Sequence, residues 1–383
     1  MRYVTSGESH GRALTATVLD VPAGVPVDQS RIDFDLARRQ VGYGRGGRMR
    51  IEQDRALILS GVRFGQTIGS PVTLSVANRD WDNWTDVMAV TGESPSDARV
   101  TAPRPGHADL TGVLRNASND VRDVLERASA RETAARVAAG AIARAFLGEL
   151  GVTVHSFVTS IGDVAIELPG DPASVDVTQV EASDVRCPDA AVTARMHEAI
   201  DAARTAGESL GGTFVVTASG LTPGLGDYAQ ADRRLDARLA AAIISIPAIK
   251  GVEFGDGFAS ASRPGSRVHD EILFSEARGY HRRTNHAGGL EGGMSNGEPL
   301  VIRAAMKPIP TLMKPLASVD IDTHEPVDAS KERSDVCAVP AAAVVGEAEV
   351  AIVIAAAYLD AFGRTSLVDI KSSLQAYRSR IIR

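Results

Sequence analysis

Residues 338–361 read AVPAAAVVGEAEVAIVIAAAYLDA, and they decide the fold class of this chain. They form the centre of its longest apolar stretch. Because Pro340, Glu347, Glu349 and Asp360 lie within that stretch, a buried Ala-rich helix explains it better than a membrane span does. The acid at 349 also indicates that this face of the helix meets solvent or another subunit.

A second Ala-rich segment, 131–150, predicts another buried helix, because its small residues on every side suit packing against sheets. The other patterns predict helices at 30–40, 189–206 and 229–246, strands at 14–21, 50–52, 56–60, 71–77, 152–158, 214–218 and 301–306, and a turn with a short strand at 251–258. No change of composition marks a boundary. We therefore expect one α+β domain over residues 1–383, with sheets covering central Ala-rich helices.

The composition is that of a soluble globular protein, with 44% hydrophobic and 23% charged residues. A formal net charge of −7 argues against a general nucleic-acid binder, which usually carries a basic excess. Two cysteines, Cys187 and Cys337, are too few for a disulfide framework, which fits a reducing compartment. The N-terminus lacks the basic and apolar regions of a secretory signal. We expect a cytoplasmic protein with no membrane or nucleic-acid partner.

Two short segments carry the predicted acid–base chemistry, TSGESHGR at 5–12 and RPGHAD at 104–109. Each places one histidine, His10 or His107, in a tight glycine-bounded turn beside a carboxylate and an arginine. The unperturbed pKa of histidine lies nearest neutrality, so it is the natural proton donor or acceptor at cellular pH. Together with nearby arginine loops, the two segments indicate an enzyme that acts on an anion.

The loop RRQVGYGRGGR at 38–48 contains glycines in G-x-G-x-x-G spacing, but it follows a predicted helix and leads into a strand. A dinucleotide fingerprint needs a strand first and a helix after it, so we exclude a Rossmann site. Two interpretations remain for Arg39, Arg45 and Arg48. They belong to a solvated basic loop, or they form an anion clamp that the glycines allow to approach a phosphate or carboxylate closely.

Two other segments also have both a functional and a structural interpretation. RASARET at 127–133 leads into a helix whose N-terminus suits an anion, but Ser129 and Glu132 also have the spacing of an ordinary capping box. Asp335 precedes the last long helix, where it is stabilised as an anion or simply serves as a cap.

The glycine-rich run 285–297 suits close backbone approach to a flat ligand or forms a disordered loop, although Leu290 and Met294 favour packing. Residues 78–106 predict a long functional loop, and KPIPT at 307–311 a stiff, lysine-bearing turn. The remaining histidines lack metal-ligand spacing, so no metal site is expected. The sequence contains neither a G-x-S-x-G elbow nor a Walker loop.

Taken in order, six segments resemble the chorismate synthase family, from the first residues to about residue 362. The matching segments are GESHG at 7–11, GYGRGGRM at 42–49, RPGHAD at 104–109, ASARET at 128–133, GGLEGG at 288–293 and RSDVC at 333–337. The resemblance implies an α+β sandwich of two antiparallel sheets around central Ala-rich helices, assembled as a homotetramer.

In this family, 5-enolpyruvylshikimate 3-phosphate is converted to chorismate by a 1,4-anti elimination of phosphate and a ring hydrogen. This is the last common step of aromatic amino acid biosynthesis in the shikimate pathway. The reaction has no net redox change but requires reduced FMN (FMNH2), which lends electron density to the substrate and recovers it. The substrate carries a phosphate and two carboxylates, so the resemblance explains the arginine loops as groups that offset repulsion among anions. Some members reduce their flavin with bound NADPH and others depend on an external reductase, and the sequence leaves both open.

The resemblance also assigns roles to individual residues. His10 resembles the acid that protonates the departing phosphate, His107 the group that steadies charge on the flavin, and Asp335 the base that works with the flavin to remove the ring proton. The substrate-binding positions are Ser9, Arg39, Arg45, Arg48, Arg131 and Arg333. The FMN-binding positions are Arg127, Ala128, Ser129, Pro247, Ala248, Gly293, Lys307, Pro308, Ile309, Pro310, Thr311 and Arg333, and members that bind NADPH place it at Arg39 and Arg45.

The alternative function is a non-catalytic anion- or nucleotide-binding protein, since the same arginine–glycine loops would serve it. Such a protein needs none of His10, His107 and Asp335. Its ligand binding would remain largely intact in a His10→Ala variant, whereas the activity of a lyase would not.

Overall fold

The structure is a computed structural model that describes residues 1–46, 53–92, 95, 98–332 and 335–381. Its α-helices are α1 (Gln29–Gln40), α2 (Asp109–Asn116), α3 (Arg122–Ala128), α4 (Thr133–Gly148), α5 (Val177–Ala182), α6 (Ala190–Ala206), α7 (Leu235–Ile244), α8 (Val339–Phe362) and α9 (Leu367–Ile381). Its strands are β1 (Arg2–Ser6), β2 (Ala13–Leu19), β3 (Ala56–Ser60), β4 (Val62–Arg63), β5 (Gln66–Thr67), β6 (Val72–Ala77), β7 (Thr153–Ile161), β8 (Val164–Ala165), β9 (Gly212–Ser219), β10 (Ile249–Phe254), β11 (Ile272–Ser275), β12 (Gly279–Arg282), β13 (Leu290–Glu291), β14 (Met294–Ser295), β15 (Leu300–Met306), β16 (Ala317–Val319) and β17 (Pro326–Asp328).

Two antiparallel sheets enclose the central helices. Sheet A has the strand order β1-β2-β6-β3, and sheet B has the order β10-β15-β9-β7-β8. In β2, Leu14, Ala16 and Val18 are buried, while Thr15 and Thr17 between them face outward. Successive side chains of a strand point to opposite faces, so this alternation fixes which face of sheet A covers the core.

The centre of the molecule is a pair of Ala-rich helices, α4 and α8, packed against each other. Helix α4 contacts β2 and β6 of sheet A, and α8 contacts β7 and β9 of sheet B. The helices approach closely because the facing residues are small: a Cβ at Gly140 would overlap Ala348. Gly346 serves the same purpose toward sheet B, where a Cβ would lie 2.9 Å from the Phe214 ring. The predicted α+β sandwich around Ala-rich helices is confirmed.

Helix α8 confirms the buried helix predicted at 338–361. In the part of the chain that the structure describes, it is the one helix whose length and hydropathy would also fit a membrane span, and the fold encloses nearly all of it. Glu349 is buried, accepts a hydrogen bond from the Tyr3 hydroxyl (2.6 Å) and pairs with Arg136 of α4 (3.1 Å). The expectation that the Glu349 face meets solvent or another subunit is wrong, because β1 and α4 cover it.

Glu347 is the centre of a buried ionic network that joins α8 to its neighbours. Its carboxylate accepts hydrogen bonds from Arg38 of α1 (2.7 and 2.8 Å), Arg144 of α4 (2.9 Å) and the Ser156 hydroxyl of β7 (2.7 Å). Arg186 lies 3.3 Å away. Burial alone would raise the Glu347 pKa, but the arginines outweigh it and hold the pKa at about 2.

Most of the predicted helices and strands are present with small shifts at their ends. The helix predicted at 229–246 begins only at Leu235, because the Leu235 N–H donates to the Gly293 carbonyl (2.8 Å) instead of to a preceding helical turn. The sequence patterns do not predict helices α2, α3, α5 and α9, strand β1, or the short strands β4, β5, β8, β11–β14, β16 and β17. The strand predicted at 50–52 falls outside the described ranges. A single domain over residues 1–383 stays a prediction.

Candidate active site

A cavity of about 1000 Å³ lies against the N-terminal half of α8. Ala338, Ala341, Ala342 and Val345 give it one wall of small apolar side chains. The other walls come from residues in the segments 9–10, 39–46, 80–84, 104–108, 125–133, 244–250, 306–311 and 331–335. Segments that are far apart in the chain, and that the sequence marks as functional, therefore meet at one place.

A buried carboxylate holds His10 at the cavity wall. The Nδ1 atom of His10 lies 2.8 Å from Glu126 Oε1, and the His10 backbone N–H donates to Glu126 Oε2 (2.8 Å). The Glu126 carbonyl accepts from the Ser9 N–H (2.9 Å), so α3 positions both residues of this turn. With Nδ1 bonded to Glu126, proton exchange with a ligand falls to Nε2.

The Glu126 carboxyl is ionised. Burial would raise its pKa, but the hydrogen bonds and charge of His10, together with Arg122, outweigh burial and hold the pKa below its ordinary value. On another side of His10, the indole of Trp84 stacks on the imidazole with ring centroids 3.7 Å apart and 20° between the planes. A carboxylate and an aromatic face thus restrain one imidazole.

His107 has the same kind of anchor. Its Nδ1 lies 2.5 Å from Oδ1 of Asp109, at the start of α2. Arg104 binds both oxygens of Asp109 (2.8 and 3.1 Å) and donates to the Thr311 hydroxyl (3.0 Å). Burial would raise the Asp109 pKa, but His107 and Arg104 hold it well below its usual range. The RPGHAD motif is therefore a compact unit in which an ionised carboxylate positions a histidine.

Both histidines contact a carboxylate through Nδ1, yet the sequence indicates the carboxylate partner of only one. Asp109 lies within the same motif as His107. The only carboxylate in the His10 segment is Glu8, whereas the observed partner, Glu126, is 116 residues away. Nothing in the local pattern around His10 indicates a helix that distant, so no sequence signal was available for Glu126.

Two predicted substrate-binding arginines, Arg39 and Arg131, share the buried carboxylate of Asp54. Arg39 Nη2 lies 2.6 Å from Oδ2, and Arg131 Nη1 lies 2.6 Å from Oδ1. Arg131 Nε also donates to the Asn78 side chain (3.0 Å). One carboxylate balances only one of the two guanidinium charges, so the trio carries a net positive charge at the cavity wall.

Arg39 is buried, which excludes a solvated basic loop as the explanation of this arginine. Burial lowers its pKa to about 10 against the opposing effect of Asp54, and Arg131 and Arg45 lower it further. Its Nε is buried and has no hydrogen-bond partner among the residues that the structure describes. An anionic ligand would relieve both the charge excess and the unsatisfied donor, which favours the anion-clamp interpretation.

Arg45 and Asp335 meet at the same cavity. Arg45 Nη1 lies 2.8 Å from Asp335 Oδ2, and the Gly46 N–H donates to Asp335 Oδ1 (2.7 Å). The glycine loop docks on this segment through a hydrogen bond from the Val336 N–H to the Gly44 carbonyl (2.8 Å). The interpretation of Asp335 as a helix cap is wrong, because α8 begins without a side-chain cap.

Nine more predicted residues line the cavity: Ser9, Ala128, Ser129, Pro247, Ala248, Lys307, Ile309, Pro310 and Thr311. Ser129 Oγ accepts from the Arg131 N–H (3.3 Å) and caps the short 3-10 turn before α4. Glu132 pairs with Arg136 (2.8 Å), and no side chain caps the start of α4. The capping-box interpretation is therefore only half right, and Ser129 is a cap and a cavity residue at once.

Three predicted FMN-binding residues, Arg127, Gly293 and Pro308, are not part of the cavity lining. Arg127 donates to the backbone carbonyls of Thr5 and Gly7 and so holds the N-terminal segment. Gly293 occupies the turn between β13 and β14, and its carbonyl binds the first residue of α7. The glycine-rich run is thus ordered and packed. Arg48 and Arg333, the remaining predictions, lie outside the described residues.

The lining also contains residues that the sequence did not assign to the site: Asp80, Asn83, Trp84, Arg104, Lys250, Lys331 and Glu332. The basic side chains of the described lining are Arg39, Arg45, Arg104, Arg131, Lys250, Lys307 and Lys331, and the acidic ones are Asp80, Glu332 and Asp335. Asp54 and Asp109 hold three of these arginines from behind the lining and offset part of this charge, and the positive excess that remains suits an anionic ligand. Across the described ranges, no cluster of His, Cys, Asp and Glu could hold a metal ion.

Comparison with known proteins adds independent information about this chain. The family model described as chorismate synthase matches residues 1–359. The chorismate synthase of Symbiobacterium thermophilum is 57% identical over 393 residues and covers all of both chains. That of Trichlorobacter lovleyi is 55% identical over 385 residues and covers 98% of each. A crystal structure of a chorismate synthase is similar with a TM-score of 0.81 at 42% identity, over all of this chain and 98% of the other.

Proposed function

The chain belongs to the chorismate synthase family and is a lyase of aromatic amino acid biosynthesis, and from that premise we propose how its cavity works. The substrate is 5-enolpyruvylshikimate 3-phosphate, which loses phosphate and a ring proton to give chorismate. One observation carries this proposal: two histidines anchored on ionised carboxylates face a cavity with an excess of buried arginine.

The arginines bind and orient the anionic groups of the substrate. Arg39 and Arg131 carry one more positive charge than Asp54 balances, and Arg39 Nε finds no acceptor among the residues that the structure describes. A phosphate or carboxylate of the substrate supplies the missing acceptor. Guanidinium forks in a water-poor wall hold such a group at a fixed position, which is where charge stabilisation is most effective.

His10 protonates the phosphate as it leaves. Because Glu126 holds Nδ1, the proton is donated from Nε2. The ionised Glu126 stabilises the imidazolium before the transfer and keeps the ring in one orientation. His107 is arranged in the same way by Asp109, and it steadies negative charge on the cofactor side of the cavity.

Asp335 accepts the ring proton. Arg45 and the Gly46 N–H bind one oxygen each, so the carboxylate has a defined position relative to the cavity. An anti elimination requires the acid and the base on opposite faces of the substrate, and His10 and Asp335 come from different segments of the cavity wall. Separate anchors let each group stay in place while the other reacts.

The residues present fit FMN. The small apolar wall of α8, formed by Ala338, Ala341 and Ala342, suits a flat ring, and Ala128, Ser129, Pro247, Ala248 and residues 309–311 face the same space. Lys307 and the arginines offer cations for its phosphate. When bound, reduced FMN supplies electron density that the elimination borrows and returns. Where NADPH reduces the flavin, we propose that it meets Arg39 and Arg45.

We also propose a cytoplasmic homotetramer. The family resemblance supports the assembly, and the reducing location agrees with Cys187 and Cys337, which are free and buried. The alternative of a non-catalytic anion-binding protein has no support from the comparisons, since the relatives carry the name of an enzyme.

Anaerobic incubation with 5-enolpyruvylshikimate 3-phosphate tests the proposed function. We expect equal amounts of phosphate and chorismate with chemically reduced FMN and neither product with oxidised FMN. Folded protein that binds the substrate but releases no phosphate in either case would support the anion-binding alternative instead.

A further inference from the structure

The contact between Trp84 and His10 plays no part in the mechanism above. Trp84 lies in the long loop after β6, and its indole is stacked on the imidazole with centroids 3.7 Å apart and planes 20° from parallel. Stacking at this distance brings the ring faces into van der Waals contact. The indole therefore limits which orientations the imidazole can adopt.

Trp84 is itself fixed by its neighbours. Its Nε1 donates to Asp80 Oδ2 (3.2 Å), and the Arg122 guanidinium lies over its ring, 5.4 Å from the centroid. Arg122 also donates to Glu126 (3.2 Å), the carboxylate that holds His10. His10, Trp84, Arg122 and Glu126 thus form a closed set of contacts in which every member touches two others.

We propose that Trp84 is a positioning residue for His10, which fixes the plane of the imidazole while Glu126 fixes its Nδ1 edge. The hydrogen bond at Nδ1 by itself still allows small coupled rotations about the Cα–Cβ and Cβ–Cγ bonds of His10, which would carry Nε2 away from the leaving phosphate. The stacked indole prevents this rotation, and its electron-rich face also attracts the protonated imidazole that donates the proton. This inference rests on the proposed role of His10.

The stack can be detected without any substrate, because a protonated imidazole in contact with an indole quenches its fluorescence. The chain has two tryptophans, so a Trp81→Phe background leaves Trp84 as the only indole, and excitation at the red edge of the absorption band selects its emission over that of the six tyrosines. The charged groups that contact the stack are Glu126 and Arg122 of α3 and Asp80 of the loop, while Arg45, Lys331 and Asp335 belong to the wall of the same cavity.

We expect the emission of the Trp81→Phe protein to fall as the pH decreases from about 9 to about 5, the range that spans histidine titration. Adding His10→Asn in the same background removes the imidazole, so it should abolish this decrease. The other charged groups stay in place, so the difference between the two proteins reports on His10 alone. Identical emission curves with and without His10 would overturn the proposal. Circular dichroism on both proteins ensures that folded chains are compared.

Enzyme kinetics test the consequence for the reaction. In Trp84→Leu we expect kcat to fall by about 10²-fold, since a misplaced catalytic group costs about that much. The KM should change little, because the arginines bind the anion. Trp84→Phe keeps an aromatic face and should recover most of kcat.

Trp81→Leu is the matched control, since Trp81 lies beside Arg12 and is not part of the cavity lining. It should retain the wild-type kcat. A Trp84→Leu protein with wild-type kcat, or a Trp84→Phe protein as impaired as Trp84→Leu, would contradict the positioning role. If wild-type protein releases no phosphate at all, the proposed function fails, while the fluorescence comparison still decides whether Trp84 contacts His10.

Discussion

Arg38 and Glu347 meet end to end in the core, with Arg38 Nη1 2.7 Å from Glu347 Oε2 and Nη2 2.8 Å from Oε1. This paired contact joins the end of α1 to the middle of α8. The next residue of α1 is Arg39, whose guanidinium lies at the cavity wall. The buried network around Glu347 therefore sets the position of an arginine that we propose to bind substrate, as well as the packing of the fold.

Replacing Glu347 by glutamine should destabilise the protein strongly. Arg38 and Arg186 would stay buried, and Arg144 half-buried, without their shared carboxylate, and breaking a buried ion pair costs about 3–5 kcal/mol. We expect the free energy of unfolding, measured with urea at neutral pH, to fall by about this amount. The exposed Glu325→Gln control should change it by no more than about 0.5 kcal/mol. Equal stability of Glu347→Gln and wild type would refute the network's role.

The same carboxyl predicts a pH dependence of stability. The Glu347 pKa is about 2 in the folded protein, against an ordinary value of 4.5. The unfolded chain therefore binds more protons between these values, so the stabilisation is complete above pH 4.5 and is lost as the pH falls toward 2. Below pH 4.5 the free energy of unfolding should decrease more steeply for wild type than for Glu347→Gln. Parallel curves for the two proteins would argue against this depressed pKa.

Replacing either of two glycines of α4 by alanine should change the stability of the protein in opposite directions. At Gly140 an added Cβ would overlap Ala348, and overpacking of a core costs about 1–3 kcal/mol, which outweighs the helix propensity gained. At Gly148 nothing lies within 4 Å of the added Cβ, so Gly148→Ala should stabilise by up to about 1 kcal/mol. Thermal unfolding of both variants measures the sign of each stability change. A Gly140→Ala protein as stable as Gly148→Ala would mean that α4 and α8 are not in close contact.

Asp54→Asn should make the stability of the protein depend on the concentration of anions. Without this carboxylate, Arg39 and Arg131 repel each other in a buried wall, and we expect a loss of about 3–5 kcal/mol in the free energy of unfolding. Added inorganic phosphate replaces the missing charge, so it should raise the Tm of Asp54→Asn more than that of wild type. The exposed Asp163→Asn control should match wild type. If phosphate raised the Tm of all three proteins by the same amount, that result would count against an anion site at these arginines.

The sequence predicts the elements that depend on local pattern. The Ala-rich composition of α4 and α8 and the alternation of Leu14, Ala16 and Val18 in β2 are properties of continuous segments, and a core needs both. The start of α7 could not be predicted, because the hydrogen bond from Leu235 to the Gly293 carbonyl depends on a distant hairpin.

The site residues also divide into those whose contacts lie within one sequence motif and those whose contacts depend on distant parts of the fold. His107 and Asp109 share one motif, so their pairing is visible in the sequence. Glu126 and Asp54 lie in no motif. Helix α3 brings Glu126 to His10, and the segment just before β3 brings Asp54 to Arg39 and Arg131. The sequence therefore points to the groups that we propose for the chemistry, while the fold decides which buried carboxylates hold them.

The central claim is that His10 and His107 carry the proton and charge chemistry of this cavity. The most direct test is the rate of phosphate release from 5-enolpyruvylshikimate 3-phosphate with reduced FMN under anaerobic conditions, for His10→Asn, His107→Asn and His281→Asn. His281 lies on β12 outside the cavity lining and serves as the control. We predict a fall of at least about 10²-fold in the first two variants and none in the third. A wild-type rate in either His10→Asn or His107→Asn would contradict the account.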